Sequence, residues 1–395
     1  MSRLDELIAE LCPNGVLFTA LGDLCSLITK GTTPSSIGFS YTHEGINFIK
    51  VETIDSNGLF IEEKMEHISS ECNEKLKRSQ LHANDILFSI AGAIGRVAIV
   101  TPEILPANTN QALAIIRLKT DNVIVKYLYY ALQTKEASDS FLSKTVGAAQ
   151  SNVSLKNLSD YSIPVPPLPV QHEIVRILDS FTELTAELTA ELAARKKQYY
   201  YYKKKLLYDV NESPKYRLQD VCEITRGKVI SKDDIKAHYG EYPVYSSQTE
   251  NNGELGRISS YMYDGEFLTW TTDGANAGTV FYRTGKFNIT NVCGLLKVNK
   301  QIADIRFLFH LLSIEAPKYV SSGMGNPKLM SNVMGNIKIW LPCLQEQTRI
   351  AKILDKFYIV CNSFTSGLPA EISARQKQYE YYRDKLLTFK PLAQA

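Results

Sequence analysis

The alternation of apolar and polar positions divides the chain into two kinds of segment, each occurring twice. In the first kind, apolar residues recur at three- and four-residue spacing. Ile174, Ile177, Leu178, Phe181, Leu184, Leu188 and Leu192 form one such stripe on a background of Ala, Glu and Thr. That spacing predicts an amphipathic helix, from about Val170 to Tyr208 and on the order of 55 Å long at ~1.5 Å per residue. A second helical segment is expected over about Gln345 to Phe389. The other kind of segment holds short β-prone runs (DILFSI, GRVAIV, ALAIIRL, EFLTW, GTVFYR, CGLLKV) separated by Gly, Asn and Asp, the pattern of short strands and turns.

Proline marks the change from sheet to helix, because it cannot donate to a strand ladder and restricts the residue before it. Pro164, Pro166, Pro167 and Pro169 stand at the first boundary and Pro342 at the second, while Asn211–Pro214 ends the first helix. The expected domains are therefore 1–166, a helix at 167–210, 211–341, and a helix at 342–395. Ser366-Gly367-Leu368-Pro369 should break or kink the second helix.

The two halves are copies. ARKKQYYYYKKKLL (Ala194–Leu207) returns as ARQKQYEYYRDKLL (Ala374–Leu387), with ten of fourteen positions identical. Ile177-Leu178-Asp179 returns as Ile353-Leu354-Asp355, each with a Phe two residues later (Phe181, Phe357), and IPVPPLPVQ returns as IWLPCLQEQ. More faintly, LGDLCSLITKG matches LQDVCEITRG, and YLYYAL matches FLFHLL. A period near 180 residues is far longer than a solenoid repeat, so it reads as duplication of a whole module. The expected fold class is α+β: two mixed, sheet-rich domains joined by two long antiparallel helices forming a coiled-coil spacer, with pseudo-twofold internal duplication. The ends of the copies agree and their middles differ, as on a common scaffold that displays two different surfaces.

Composition narrows the classes. An apolar fraction of 44% and a charged fraction of 22% are ordinary for a globular protein. No apolar run approaches the length of a membrane span, and the N-terminal MSRLDELIAEL lacks a signal peptide's apolar core; a cytoplasmic location and no membrane partner are expected. Seven Cys occur without a CxxC pair, so no metal site is expected. Cys25 and Cys222 hold matching places and read as small buried residues. A net charge of +2 says little, but residues 195–207 carry six basic side chains and no acid. Such a run is either a solvated helix face or a phosphate-contacting one.

Catalytic machinery is not evident. There is no GxxxxGK[ST] loop, no GxGxxG after a strand, no Asp/Asn-Pro-Pro-aromatic tetrad, and the six His are scattered; no catalytic residue is assigned. The Gly-rich loops instead offer groups that contact DNA, since Arg and Lys pair with guanine edges and Asn and Gln with adenine. The candidates are Lys30, Thr32, Thr33, Lys50, Arg96, Asn110, Gln111 and Gln150 in the first half. In the second they are Arg226, Lys228, Gln248, Asn276, Arg283, Asn291 and Lys328.

The duplicated plan, the LTAELTAEL segment running into ARKKQY, the C-terminal ARQKQYEYYRDKLLTF and KGTTPSS (Lys30–Ser36) together resemble the specificity subunit of type I restriction–modification systems, in its type IC form. TRGKVISK (Thr225–Lys232) lacks the Thr-Pro of the first copy. The resemblance implies that each sheet-rich domain is a target recognition domain reading half of a bipartite, asymmetric double-stranded DNA site. It implies that the helices set the spacer and dock two modification subunits, through Leu184, Leu188, Leu192, Tyr199, Tyr202 and Leu206 and through Tyr379, Tyr382 and Leu386. S-adenosylmethionine, ATP and magnesium then belong to the modification and restriction subunits, with no cofactor on this chain. Two other classes compete: a stand-alone nuclease or methyltransferase with an unfamiliar site, and a coiled-coil adaptor that binds only proteins.

Overall fold

The computed structural model describes residues 2–119, 121–143, 152–208, 213–321, 325–363 and 365–392. The chain forms two compact units, one made of Met1–Glu187 with Ile372–Ala395 and the other of Leu188–Glu371. Each takes a sheet-rich domain, part of the central helix (Leu168–Tyr208), and part of the C-terminal helical segment.

In the first unit a four-stranded antiparallel sheet runs in the order Cys25–Lys30, Leu113–Leu118, Ile86–Ser89, Val97–Ile99. A three-stranded sheet runs Glu66–Ile68, Ile46–Ile49, Ala107–Thr109, its last pair parallel. The second unit has one six-stranded sheet: Cys222–Arg226, Cys293–Val298, Tyr263–Thr271, Val280–Ile289, Tyr239–Tyr245, Glu254–Ile258. These are one topology. The long strand Val280–Ile289 takes the place of both Val97–Ile99 and Ala107–Thr109, and the intervening Pro102 and Pro106 explain the break, because neither can donate to a ladder. The registers coincide as well: Lys30 faces Ala114 and Phe88 faces Ala114, as Arg226 faces Gly294 and Trp270 faces Gly294.

That match extends into the core. Trp270 is fully buried and its indole Nε1 donates to Leu329 O at 3.0 Å. A Cβ on Gly294 would lie 2.1 Å from the Trp270 ring. The first unit solves the same position with Phe88 against Ala114, a smaller ring against a larger neighbour. Cys25 and Cys222 are both buried, and burial raises their thiols to about 11 and about 12.

The helices attach to the domains in the same way twice. The closing strands Ser162–Pro164 and Lys338–Trp340 pair with Phe18–Ala20 and Lys215–Arg217, and each is followed by a helix whose buried glutamine ties three backbone groups. Gln171 accepts from Ile124 N at 2.9 Å and donates to Asn122 O and Pro166 O, both at 2.8 Å. Gln347 accepts from Asp304 N at 2.8 Å and donates to Ile302 O at 3.1 Å and Pro342 O at 2.8 Å.

The second helical segment is two helices, Leu344–Asn362 and Leu368–Leu386. The break falls at the Ser-Gly-Leu-Pro stretch, with Pro369 in the first turn of the new helix, where its missing N–H is tolerated. In the second unit the paired helices run antiparallel, with Tyr202 stacked on Phe357 at 5.8 Å and Lys196 acting electrostatically on Cys361. In the first unit the chain end returns to its beginning: Val16 N donates to Lys390 O at 2.8 Å and Leu392 N to Val16 O at 2.9 Å.

Gly294→Ala forces a methyl group into the Trp270 ring, an overpacking that costs about 1–3 kcal/mol. The variant should melt several degrees below wild type by calorimetry, and adding Trp270→Phe should recover most of the loss. An unchanged midpoint in the single variant would show that the ring is free to shift.

Candidate nucleic-acid interface

At one end of each sheet, four segments converge. In the first unit the strand Cys25–Lys30 runs into Gly31, whose N–H donates to Asn110 O at 3.1 Å, and Thr32 N donates to Thr109 O at 3.2 Å. A Cβ on Gly31 would lie 1.8 Å from Thr109 O, so only glycine permits this crossing. In the second unit Gly227 crosses the corresponding strand end, where a Cβ would lie 2.1 Å from Ile289 O. The glycine of each KG or RG pair is thereby explained by backbone contact, and the basic residue before it is held at the sheet end.

Beside this crossing lies a hairpin loop clamped by a buried hydroxyl. The Ser89 hydroxyl donates to Ala93 O and accepts from Arg96 N at 2.8 Å. The Thr271 hydroxyl donates to Asn276 O and accepts from Thr279 N at 3.0 Å. A third segment, Asn110–Ala112 or Thr290–Val292, is bound to the hairpin through Ile90 N to Ala112 O at 2.9 Å and Thr272 N to Val292 O at 3.1 Å. The fourth joins through Val153 N to Ile90 O and Leu329 N to Thr272 O, both at 2.9 Å. The hairpin and the two segments beside it are thus held by matching bonds in both units, although the crossing glycine differs in its acceptor, Gly227 N donating to Cys293 O at 3.3 Å. The side chains carried are not the same: Lys30 matches Arg226, Gln111 matches Asn291, Lys50 matches Ser246, and Arg96 matches Thr279.

The candidate residues sort clearly on this frame. Lys30, Thr32, Thr33, Asn110 and Gln111 come together at the first crossing, with the Thr33 hydroxyl bonded to the Gln111 amide oxygen. Arg226, Lys228, Asn276, Asn291 and Lys328 lie on the corresponding loops of the second unit. Asn276 donates to the Thr249 hydroxyl at 3.0 Å, and Gln248 donates to Glu254 O. Lys50 is ion-paired with Glu52 at 3.2 Å and Glu66 at 3.3 Å. Arg96 spends its guanidinium on Ile54 O at 2.6 Å and Val51 O at 3.1 Å, so it braces the neighbouring loop. Arg283 is 3% exposed, with its guanidinium 3.6 Å from the Tyr245 ring centre and 4.3 Å from that of Phe281; it lies inside the domain, away from the loop surface. Gln150 lies outside the described residues.

On the helices, Leu184, Leu188, Leu192, Tyr199, Leu206, Tyr379, Tyr382 and Leu386 are half-buried, and Tyr202 is more exposed but stacked on Phe357. Tyr382 stacks on Phe181 at 5.5 Å. Sequence reasoning missed the polar contacts beneath them. Asp179 accepts from Tyr130 at 2.6 Å and Lys126 at 2.7 Å. Its counterpart Asp355 accepts from Arg306 Nε at 3.0 Å and pairs with His310 Nε2 at 2.7 Å, whose Nδ1 meets Tyr199 at 3.1 Å. Burial lowers His310, despite Asp355 beside it; burial also opposes charge on Asp355, yet hydrogen bonds from His310 and Arg306 keep it low. The repeated Ile-Leu-Asp was the visible signal for both sites.

The basic helix run divides in the same way. Lys203 is 8% exposed and donates to the Ser313 hydroxyl, so it faces inward, while Lys196, Lys197, Lys204 and Lys205 face solvent. Among the described residues no group of three or more His, Cys, Asp or Glu is placed to hold a metal, and no helix is long and apolar enough to cross a membrane.

Comparison with known proteins gives a consistent picture. The sequence matches the family described as "Type I restriction modification DNA specificity domain" twice, over residues 13–195 and 211–374. A type I restriction enzyme specificity subunit of Mycoplasma pneumoniae is 38% identical over 303 residues, covering 60% of this chain and 92% of that one. The specificity subunit of an Escherichia coli type I restriction enzyme is 32% identical over 296 residues, covering 68% of this chain and 72% of its own length. The crystal structure of a type I restriction–modification S subunit from M. genitalium superposes with a TM-score of 0.57 at 16% identity, covering 94% of this chain and 96% of that one.

Burial pushes the Lys203 ammonium down from 10.5 to about 8. Between those values the unfolded chain holds a proton that the folded chain has released, so the contribution of this group to stability rises with pH across that window. The buried thiols, raised by burial, contribute with the opposite sign near pH 9. Urea unfolding of wild type and Lys203→Met at pH 7.5 and 9.5 removes the thiols' share by difference, and wild type should gain stability relative to the variant as the pH rises. An equal change in both would show that Lys203 does not titrate in this window.

Proposed function

The chain belongs to the type I restriction–modification DNA specificity family, and from that membership we propose a division of labour in which this chain reads DNA and its partner subunits act on it. Each sheet-rich domain reads one half of a bipartite, asymmetric double-stranded site. The loops at the Gly31 and Gly227 crossings supply the base contacts, with Lys30, Thr32, Thr33, Asn110 and Gln111 in the first half. Arg226, Lys228, Gln248, Asn276, Asn291 and Lys328 serve in the second. The observation that carries this reading is the agreement of the hairpin clamps and their links to the neighbouring segments in the two units, beneath different side chains. A duplicated reader with unlike loops suits two unlike half-sites, whereas an adaptor binding two copies of one protein partner would gain from keeping its contact loops alike.

The paired helices hold the two readers at a set separation and dock two modification subunits, which methylate adenine. Their similar packing positions, Tyr199 and Tyr379 or Tyr202 and Tyr382, offer similar surfaces to similar partners. Restriction subunits join the same complex. In this reading S-adenosylmethionine, ATP and magnesium belong to those partners, this chain is non-catalytic, and the complex works in the cytoplasm on the host's DNA.

Mapping methylated adenines in cells with and without this chain should reveal a bipartite motif that disappears on deletion; a methylation pattern independent of the chain would remove the assignment. Inserting one further Thr-Ala-Glu-Leu after Leu192 adds ~6 Å of helix, comparable with one or two base-pair rises of ~3.4 Å. The spacer of the methylated motif should lengthen while both half-sites keep their bases. An unchanged spacer would show that the helices do not set it.

A further inference from the structure

The charges on the loop surface of the second unit are organised around one carboxylate. Arg226 Nη2 donates to the Thr272 hydroxyl at 2.9 Å, and that hydroxyl donates to Asp273 Oδ2 at 2.5 Å. The same carboxylate lies 3.6 Å from Arg226 Nη2 and 3.6 Å from Lys328 Nζ. Thr272 is wholly buried, so the relay is part of the scaffold, while the Arg226 side chain keeps a third of its surface open to solvent. Backbone bonds fix the carboxylate's own loop: Gly274 N donates to Pro327 O at 3.0 Å, and Asp273 bridges to Lys328.

The first unit has the same backbone and none of this chemistry. Lys30 stands where Arg226 does, Ile90 where Thr272 does, and Ala91 where Asp273 does. A carboxylate on a DNA-facing surface repels phosphate, so it gives nothing to a cation whose task is to follow the backbone. It does help an arginine that must read a base. Guanine O6 and N7 are engaged together only when the guanidinium plane is held in one orientation, and a neighbouring carboxylate and hydroxyl supply that restraint.

Building on the reading that these loops contact DNA bases, we propose that Asp273, through Thr272, is a positioning residue that fixes Arg226 to read a guanine in the half-site taken by the second domain. The first domain, with a flexible Lys30 and no carboxylate at the matched position, reads its half-site without such a fixed fork. The difference contributes directly to the asymmetry of the site.

The test uses the full chain in complex with its modification subunits, expressed in a host free of other adenine methylation, with the genomic sites mapped. Asp273→Asn removes the charge and keeps the size; Arg226→Lys keeps the charge and removes the fork. Each should make one guanine of the second half-site degenerate, with discrimination there falling about ten-fold or more. The first half-site and the spacer should be unchanged. Binding to a duplex without the site should be no weaker for Asp273→Asn, an outcome that general damage to the loop would not give. Asp273→Glu should recover much of the discrimination. A wild-type second half-site lacking guanine, or a motif unchanged by Asp273→Asn, overturns the proposal while leaving the DNA-reading function intact. Absence of any bipartite motif with the wild-type chain removes the function itself. Should Asp273→Asn fail to fold, Thr272→Val, which cuts the relay and keeps the side-chain volume, takes its place with the same outcomes.

Discussion

Each unit depends on one buried amide. Gln171 and Gln347 sit where a strand followed by proline turns into a helix, and each reaches one carbonyl at that proline and two backbone groups of a neighbouring loop. One side chain satisfies a donor and two acceptors in each case. An unpaired buried group of this kind costs about 1–3 kcal/mol, so the glutamine fixes at once where the sheet ends, where the neighbouring helix begins, and at what angle the long helix leaves. The aspartates about two helical turns further on, Asp179 and Asp355, then lock that helix to its domain.

With the helix attachment fixed at one end of each sheet, variation is free to collect in the loops at the glycine crossings. The backbone bonds there recur almost without change, from the Ser89 and Thr271 clamps to the Ile90 and Thr272 links. Side chains can therefore change without disturbing the strands that carry them. This separation of a constant frame from differing side chains lets one fold carry two unlike contact surfaces in a single chain.

Much of the architecture was legible because it was written twice. The repeated ARxKQY segment, the Ile-Leu-Asp repeat and the proline clusters located the helices to within a few residues, and Gly367 with Pro369 foretold their break. Individual contact residues were less legible, because turn-forming residues and DNA-contacting residues are the same types. Arg283 has the composition of a reader, yet it lies at a strand position whose side chain points inward between two aromatic rings. Arg96 and Lys50 keep loop positions but are committed to carbonyls and carboxylates that come from distant parts of the sequence. Lys203 shares a basic run with solvent-facing neighbours, and only the helix phase and the presence of Ser313 turn it inward. Asp273 is, in sequence, a lone acid in a Gly-rich loop, and it gains its meaning only when the fold brings Arg226 and Lys328 to it.

The central claim is that the two sheet-rich domains are equivalent frames carrying different readers. It is tested most directly by replacing the second domain, from the strand Lys215–Arg217 to the strand Lys338–Trp340, with the first, from Phe18–Ala20 to Ser162–Pro164. These end strands pair alike in both units, so the graft preserves its attachments. Mapped methylation with the chimaera should show a motif whose two halves both carry the bases of the original first half-site. Retention of the original second half-site would contradict the account.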